Sequence, residues 1–359
     1  MRRNDAARRL KSVCDAACSE IMKRLNYLDT LKIVLTLLVV FHHAAEPYYP
    51  DSAWPYKPSN ADEMMPWIWH FLSVNAAFFM GLFFLIAGYF VPRSYDKQGL
   101  KVFVQKKLMR LGIPVVIVTA FLTLVTGQME VGHLWYVETL LVFCLLYALV
   151  RQIILPIKAN PDLSLVVLLA LALVMGIGGH LIRQVSPQDH WIWVLGILHI
   201  EPAHFLQYVM MFATGVLAYR FQWLEKMRND IGVAALAIGV ALAIGNYLRD
   251  GGAWNDFVYR WFGIYESLLC VFLSFGLLWL FRKFINQTNA FQTWCAQQAY
   301  GAYIVHLFVL LAVQHATDGL LLPGIVKFFL IAIITSILSF LLTYLLRLIP
   351  DVKRVLCIC

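Results

Sequence analysis

Charged side chains are scarce in this sequence. Asp, Glu, Lys and Arg together make up only 14% of its 359 residues, whereas 61% are hydrophobic and the mean hydropathy is +0.71. An ordinary soluble domain is about half apolar and about a quarter charged. A soluble globular protein is therefore excluded, because so much apolar surface requires lipid as its solvent.

The sequence also lacks polar–apolar alternation, tandem repeats and low-complexity tracts. Its apolar residues come in continuous runs, and a helix of about 20 such residues crosses a bilayer core of roughly 30 Å. We therefore predict an all-α fold, a polytopic transmembrane helix bundle of about ten spans. The predicted spans are Leu28–Ala45, Trp67–Pro92, Leu111–Gln128, Leu134–Leu155, Leu163–Ile182, Ala203–Tyr219, Ile231–Leu248, Trp261–Phe281, Ala299–His315 and Leu322–Ile349. The apolar run Val194–Ile200, just before the sixth span, is an alternative site for a short re-entrant piece.

Cysteines are few, and none lies in a loop predicted to be outside the cytoplasm. Structural disulfides need an oxidising compartment, so we predict none. Cys14 and Cys18 lack further ligands at metal-site spacing, so we predict no metal site there. The terminal pair is either lipidated or free. The seven cysteines are Cys14, Cys18, Cys144, Cys270, Cys295, Cys357 and Cys359.

Acidic residues are outnumbered by basic ones, 21 to 29, which gives a net charge of +8. The basic residues collect in the N-terminal tail, after each even-numbered span and at the C-terminal end. The other loops hold only Lys57, Arg183, Arg249, Arg260 and Lys327. Since cationic residues stay on the cytoplasmic side of a membrane, we predict that both termini are cytoplasmic. The positive charge then reflects topology in a cell (plasma or inner) membrane, and it is no sign of nucleic-acid binding.

This topology divides the chain into three parts. Residues 1–26 form a basic cytoplasmic tail, which is too polar to supply the apolar core of a cleavable signal peptide. Residues 27–350 form the membrane domain, and residues 351–359 form a short cytoplasmic tail.

The first span carries ionisable side chains, which are costly in lipid and mark functional sites by default. Lys32 and His43 differ by about 20° around the helix axis and by roughly 16 Å along it. Glu46 returns to the same face, whereas His42 points about 80° away. The alternative is that Lys32 extends to the headgroups and that the histidines are interfacial.

A second polar segment lies where the third span begins. Lys107 and Arg110 stack on one helix face at the predicted cytoplasmic surface, which suits a polyanion such as a set of phosphates. The alternative is ordinary positive charge on the cytoplasmic side.

Two later spans also carry polar groups. The fourth opens with His133, Trp135, Tyr136 and Glu138, and a carboxylate one turn into a span needs a partner or a watery cavity. The ninth places His306 near mid-membrane, either as a functional group or as a hydrogen-bonded packing residue. Glu46 or Glu138 is positioned in sequence to fix the tautomer of His43.

These segments, taken in order, resemble the integral-membrane acyltransferase-3 family. Residues 27–32 read Tyr-Leu-Asp-Thr-Leu-Lys, with His43 eleven positions later, and Lys stands where the family pattern has Arg. Residues 83–89 read Phe-Phe-Leu-Ile-Ala-Gly-Tyr, with Ala in place of Ser. Basic residues at 107 and 110 precede Pro114, and residues 133–137 and 300–306 match the family's two histidine segments. The similarity runs from Tyr27 to Leu346.

The resemblance implies an enzyme that needs no cofactor and uses acyl-coenzyme A, most often acetyl-coenzyme A, as co-substrate. Lys107, Arg110 and Lys32 would meet the phosphates of this donor on the cytoplasmic side. His43 would act as general base or as acyl carrier for a hydroxyl or amine of an acceptor on the far side. His133, Trp135, Tyr136 and His306 would bind the acceptor, a cell-surface glycan or lipid, or support the site. Tryptophans near that side suit a glycan, and the alternative is that they form the ordinary aromatic belt of a membrane protein.

Two other classes of protein remain open at this point. A secondary transporter would use the intramembrane polar groups as a substrate or proton site, although no paired repeat is visible. A scaffold or receptor without enzymatic activity would have no need for Lys32, His43, Glu138 and His306 inside spans.

Overall fold

The structure of the protein is a computed structural model that describes residues 25–153, 161–249, 251–287 and 289–356. The predicted basic tail up to residue 24, the end of the fourth predicted span beyond Ile153, and Cys14, Cys18, Cys357 and Cys359 lie outside these residues. The predicted all-α fold and the membrane-protein class are confirmed.

Thirteen helices make up the described part of the chain. They are α1 (Asn26–Ala45), α2 (Trp69–Lys107), α3 (Ile113–Thr126), α4 (Trp135–Ile153), α5 (Leu165–Arg183), α6 (Pro202–Arg220), α7 (Trp223–Lys226), α8 (Asn229–Tyr247), α9 (Gly252–Arg260), α10 (Phe262–Phe284), α11 (Ala290–Thr317), α12 (Gly324–Leu346) and α13 (Pro350–Leu356). A π-helical turn, Leu108–Gly112, joins α2 to α3. Strands β1 (Ile192–Val194) and β2 (Leu198–Ile200) pair antiparallel, so the apolar run predicted as a possible re-entrant piece is a hairpin.

Eight helical segments of the described chain are long and apolar enough to cross a membrane. One of them, Pro66–Thr126, is 61 residues long and contains both the second and the third predicted spans. A straight helix of that length would measure about 90 Å, three bilayer cores. The backbone leaves helical geometry at Gly99, where φ is 72°, a value that glycine adopts without strain. The sixth predicted span, α6, is less apolar than the eight because it carries polar side chains such as His204 and Gln207.

Neighbouring helices alternate in direction. Lys32 lies over the ring of Phe90 at 5.0 Å, and His42 contacts Phe79, so α1 and α2 run antiparallel. Helices α11 and α12 also run antiparallel, because Arg347 bonds Gln298 at one end and Lys327 bonds the carbonyl of Asp318 at the other. We call the end that holds Arg110, Arg220, Arg282 and Arg347 the basic end, and the other the opposite end.

Close approach of α2 and α6 forms the centre of the bundle. A Cβ atom at Gly88 would lie 2.1 Å from the carbonyl oxygen of Phe212, and one at Gly215 would lie 2.0 Å from that of Leu85. Small residues that let backbones touch are the usual basis of helix packing in membranes. Any larger residue at these two positions would push α2, which lines the site described below, away from its neighbour.

The loop between α1 and α2 is fastened to the opposite end by a buried ionic network. Lys327 is fully buried and bonds Glu63 at 2.8 Å, while the carboxylate of Asp318 accepts hydrogen bonds from Ser59 and Tyr56. Those two hydrogen bonds lower the pKa of Asp318 to about 2. The fastened loop holds Trp54 against His43 and against Gln314 of α11.

The predicted orientation can be tested with a reporter that is active only outside the cytoplasm, such as alkaline phosphatase. Fusions after Asp51, Gln188 or Asp318 are expected to be active, because these residues lie in loops at the opposite end. Fusions after Asp96 or Arg228, at the basic end, are expected to be silent. A reversed pattern at two or more positions would contradict cytoplasmic termini.

Candidate active site

A cavity of about 210 Å³ opens near the basic end, between α1, α2, α4 and α11. Its wall contains Lys32, Lys107 and Arg110, the three cations that the sequence suggested for phosphate binding. We call it the basic cavity. Val355 of the short helix α13 also lines it, so the C-terminal end of the described chain covers part of this site.

Each cation reaches the basic cavity from a different element. Lys32 projects from α1 and pairs with Asp29 at 2.8 Å, one turn earlier in the same helix. Lys107 ends α2, with its ammonium 5.4 Å from the ring centre of Phe103. Arg110 lies in the π-helical turn, a feature common at functional sites. Its carbonyl oxygen accepts a hydrogen bond from the hydroxyl of Tyr300, which ties the turn to α11.

Aromatic rings line part of the basic cavity. The rings of Tyr136 and Tyr303 are 5.7 Å apart, and Phe83 lies 5.7 Å from Tyr136. Thr36 marks the same level on α1, and His43 lies about 10 Å further along that helix. The cavity and His43 therefore lie on one side of α1 at two levels, with Tyr136 and Tyr303 between them.

His43, His133 and His306 form a cluster beyond these rings, which we call the imidazole cluster. The ring of His306 lies 5.4 Å from that of His43 and 4.9 Å from that of His133. On its other side His43 stacks on Trp54 at 5.1 Å. The side chain of His43 is 22% exposed, whereas His306 is completely buried. His43 is thus the most exposed of the three imidazoles.

Backbone carbonyls fix the tautomers of the two buried imidazoles. Nδ1 of His306 donates to the carbonyl of Tyr303 at 2.6 Å, and Nε2 of His133 donates to that of Ile304 at 2.9 Å. In the neutral rings the remaining nitrogen carries a lone pair. Neither of these nitrogens has a hydrogen-bond partner among the described residues. The cluster therefore offers two unsatisfied basic nitrogens beside His43.

The two predicted catalytic carboxylates take different places. Glu46 lies 3.8 Å from Nδ1 of His43 and 3.3 Å from Nε2 of His42, and it accepts a hydrogen bond from Ser52. It is thus shared between the two histidines and lies nearer to His42. Glu138 instead accepts a hydrogen bond at 3.0 Å from the backbone N–H of His199 in β2. Its carboxylate therefore binds the backbone of the β1–β2 hairpin, a contact that the sequence alone did not indicate.

A second ionic cluster at the opposite end escaped the sequence analysis. His204 donates from Nδ1 to Glu201 at 2.6 Å and from Nε2 to Glu266 at 2.9 Å, and Glu266 also pairs with Arg183. An imidazole with a carboxylate on each nitrogen is matched to its protonated form. The available signals were Glu201 just before the sixth predicted span, His204 three residues later inside it, and the acidic Glu266 inside the eighth.

The chain is similar to known proteins over most of its length. The family described as an acyltransferase domain (Acyl_transf_3) matches residues 25–348, which is most of the chain. The chain is also 26% identical over 331 residues to the glucans biosynthesis protein C of Escherichia coli O81 (strain ED1a), O1:K1 / APEC and strain K12. The alignments cover 79% of this chain and 81% of each relative. No solved structure matches the chain.

The family match also bears on the classes of protein that the sequence left open. It reaches into all ten predicted crossings and includes the imidazole cluster and the lining of the basic cavity except Val355. The activity is transfer of acyl groups, and the resemblance seen in the sequence motifs is confirmed. The chain belongs to the acyltransferase-3 family of integral membrane acyltransferases.

Proposed function

We propose that this enzyme moves an acyl group from acyl-coenzyme A, bound in the basic cavity, to a hydroxyl of a glycan at the opposite end of the bundle. The observation that carries the proposal is the placement of Lys32 and His43 on one helix. The first lines a cavity with two further cations, and the second lies in a cluster of imidazoles. Phosphates need the cations, and acyl transfer needs a base.

The basic cavity suits the nucleotide end of the donor. Lys107 and Arg110 carry no ion pair with the described residues, and the one acid paired with Lys32 is Asp29. The phosphates of coenzyme A would supply the missing negative charge. The pantetheine arm would then follow α1 past Tyr136 and Tyr303 and present the thioester to His43.

His43 would act as the general base. The hydroxyl oxygen of the acceptor attacks the thioester carbonyl, and its proton passes to the imidazole. The carbon–sulfur bond breaks, and the leaving thiolate of coenzyme A takes the proton from the imidazolium. In the alternative route the acyl group is first transferred to the imidazole itself, and the resulting acyl-imidazole then passes it to the acceptor. The proposed glycan rests on the name of the relatives, which refers to glucans.

The experiment is a transfer assay with the full chain in detergent or proteoliposomes. With [¹⁴C]acetyl-coenzyme A and an oligomer of glucose, label is expected in the sugar, together with free coenzyme A in equal amount. Accumulation of labelled protein before transfer would identify the acyl-carrier route. If short- and medium-chain acyl-coenzyme A all stay intact with the sugar present, the proposed function is wrong. Uptake of the sugar without consumption of donor would indicate a transporter instead.

A further inference from the structure

The β-hairpin between α5 and α6 has one aromatic face. Successive side chains of a strand point to opposite sides, so Trp191 and Trp193 share a face. His199 lies directly opposite Trp193 in the antiparallel register and belongs to the same face. Ile192, Val194 and the aliphatic residues of β2 occupy the other face. The hairpin therefore separates aromatic from aliphatic side chains completely.

The rings on this face form a continuous row that leads into the bundle. Trp193 stacks on His199 at 4.5 Å with the ring planes 19° apart, and His199 lies 5.0 Å from Trp191. Trp191 contacts Trp135 of α4 at 5.6 Å, and Trp135 contacts the buried Tyr208 of α6 at 5.1 Å. We call Trp135, Trp191, Trp193 and His199 the aromatic row. Its four members are all partly exposed, so ring surface remains free for a ligand.

The aromatic row differs from the tryptophans that border a lipid bilayer. Such tryptophans usually stand singly at the ends of spans, each with its ring at the headgroup level. Trp67 fits that description, because it is 51% exposed and contacts no other ring among the described residues. Three members of the row instead lie on the hairpin or directly before it, the fourth, Trp135, begins α4, and each ring contacts the next.

The row is held next to the imidazole cluster. Trp135 comes two residues after His133, on the helix that follows it. The hydrogen bond from the backbone of His199 to Glu138 ties the hairpin to that same helix. Asp189, just before the hairpin, donates its N–H to Glu201. Burial and then the carboxylates of Glu201 and Glu46 raise the pKa of Asp189.

We propose that the aromatic row is the subsite that holds the acceptor as an uncharged hexopyranose chain and aims one of its hydroxyls at His43. The C–H groups on the face of a pyranose ring suit the negative face of an aromatic ring. A row of rings accommodates successive sugars of an oligomer. The row contains no carboxylate, lysine or arginine, and its one titratable member is the imidazole of His199, which matches a neutral glycan. The inference rests on the proposed function, since it assigns the acceptor side of the same reaction.

Two measurements test it, one without donor and one with donor. The first is calorimetric titration of a glucose hexamer into wild type, Trp193→Leu, Trp193→Phe and Trp67→Leu. The second is the KM for the hexamer and for acetyl-coenzyme A in the transfer assay. Trp193→Leu is expected to weaken hexamer binding and raise its KM about tenfold, the effect of one lost aromatic contact. The KM for the donor should stay unchanged, because the basic cavity is remote from the hairpin.

Controls separate a sugar site from a structural role. Trp193→Phe keeps a ring and is expected to restore most of the affinity, whereas Trp67→Leu removes an isolated tryptophan and should bind as wild type does. Hexamer binding unchanged by Trp193→Leu would overturn the inference, as would equal losses in Trp193→Leu and Trp67→Leu. If wild type binds the hexamer through Trp193 yet transfers no acyl group, the proposed function fails and the sugar site stands.

Discussion

Replacement of His43 by alanine is expected to lower acyl transfer by about 10²–10⁴-fold, the usual contribution of a general base. The protein should still insert and purify normally, because the imidazole makes no hydrogen bond to the described residues and is 22% exposed. The measurement is initial transfer rate at saturating donor and acceptor, with the amount of folded protein matched by gel filtration.

His42 provides an internal control for this result. It is buried, its Nε2 lies 3.3 Å from Glu46, and its ring packs against Phe79 of α2 at 5.0 Å. His42→Ala is therefore expected to cost far less activity than His43→Ala, although it removes a neighbouring imidazole. Equal losses in the two variants would point to a structural role for both. An inactive His42→Ala enzyme beside an active His43→Ala enzyme would move the catalytic face to the other side of α1.

Loss of the two cations in and beside the π-helical turn is expected to weaken donor binding strongly. Each charge-assisted contact to a phosphate contributes roughly 1.5–3 kcal/mol, so the Lys107→Ala/Arg110→Ala double variant should raise the Kd for coenzyme A by about 100-fold or more. Acceptor binding should change little, because the cavity lies at the basic end. Exchange of each residue for the other basic type should be milder, since the charge remains. Calorimetric titration with coenzyme A measures both effects.

The same helix offers a control matched in charge and position. Lys101 and Lys106 are exposed and lie within one or two turns of Lys107, but neither lines the basic cavity. A Lys101→Ala/Lys106→Ala variant removes the same charge from the same end of the bundle. If it weakens coenzyme A binding as much as the Lys107 and Arg110 pair does, the effect is general surface charge. Wild-type affinity in the Lys107/Arg110 variant would show that the donor binds elsewhere.

Local periodicity accounts for what the sequence predicted well. The placement of Lys32, Thr36 and His43 along one side of α1 follows from helix geometry, and the structure puts the first two in the cavity wall. The number and limits of the spans follow from length and hydropathy, so the bundle itself was predictable. The structure has eight long apolar segments among the described residues, where the sequence predicts ten spans. The difference arises because one segment of 61 residues contains two predicted spans and because α6 is less apolar than the others.

Contacts between distant segments account for what the sequence could not supply. Glu138 is bound to His199, 61 positions away, and Lys327 to Glu63, 264 positions away. No spacing rule links such pairs, so the sequence assigned Glu138 a role beside His43 that its hydrogen bond does not support.

The hairpin is a different case. Aromatic and aliphatic side chains alternate over residues 191–194 and again over 198–200, on either side of a turn with positive φ at Leu195 and Gly196. That pattern is typical of strands, although the short apolar run hid it among the spans.

The buried ion pair of Lys327 and Glu63 determines the order in which parts of the structure can form during synthesis. Glu63 leaves the ribosome early, whereas Lys327 belongs to α12, so this ion pair can form only after α12 has been made. The loop that carries Trp54 can be fastened only then, and His306 joins His43 only when α11 is in place. A chain that ends before α11 would thus contain Arg110, His43 and His133, but it could not form the imidazole cluster, because His306 would be missing.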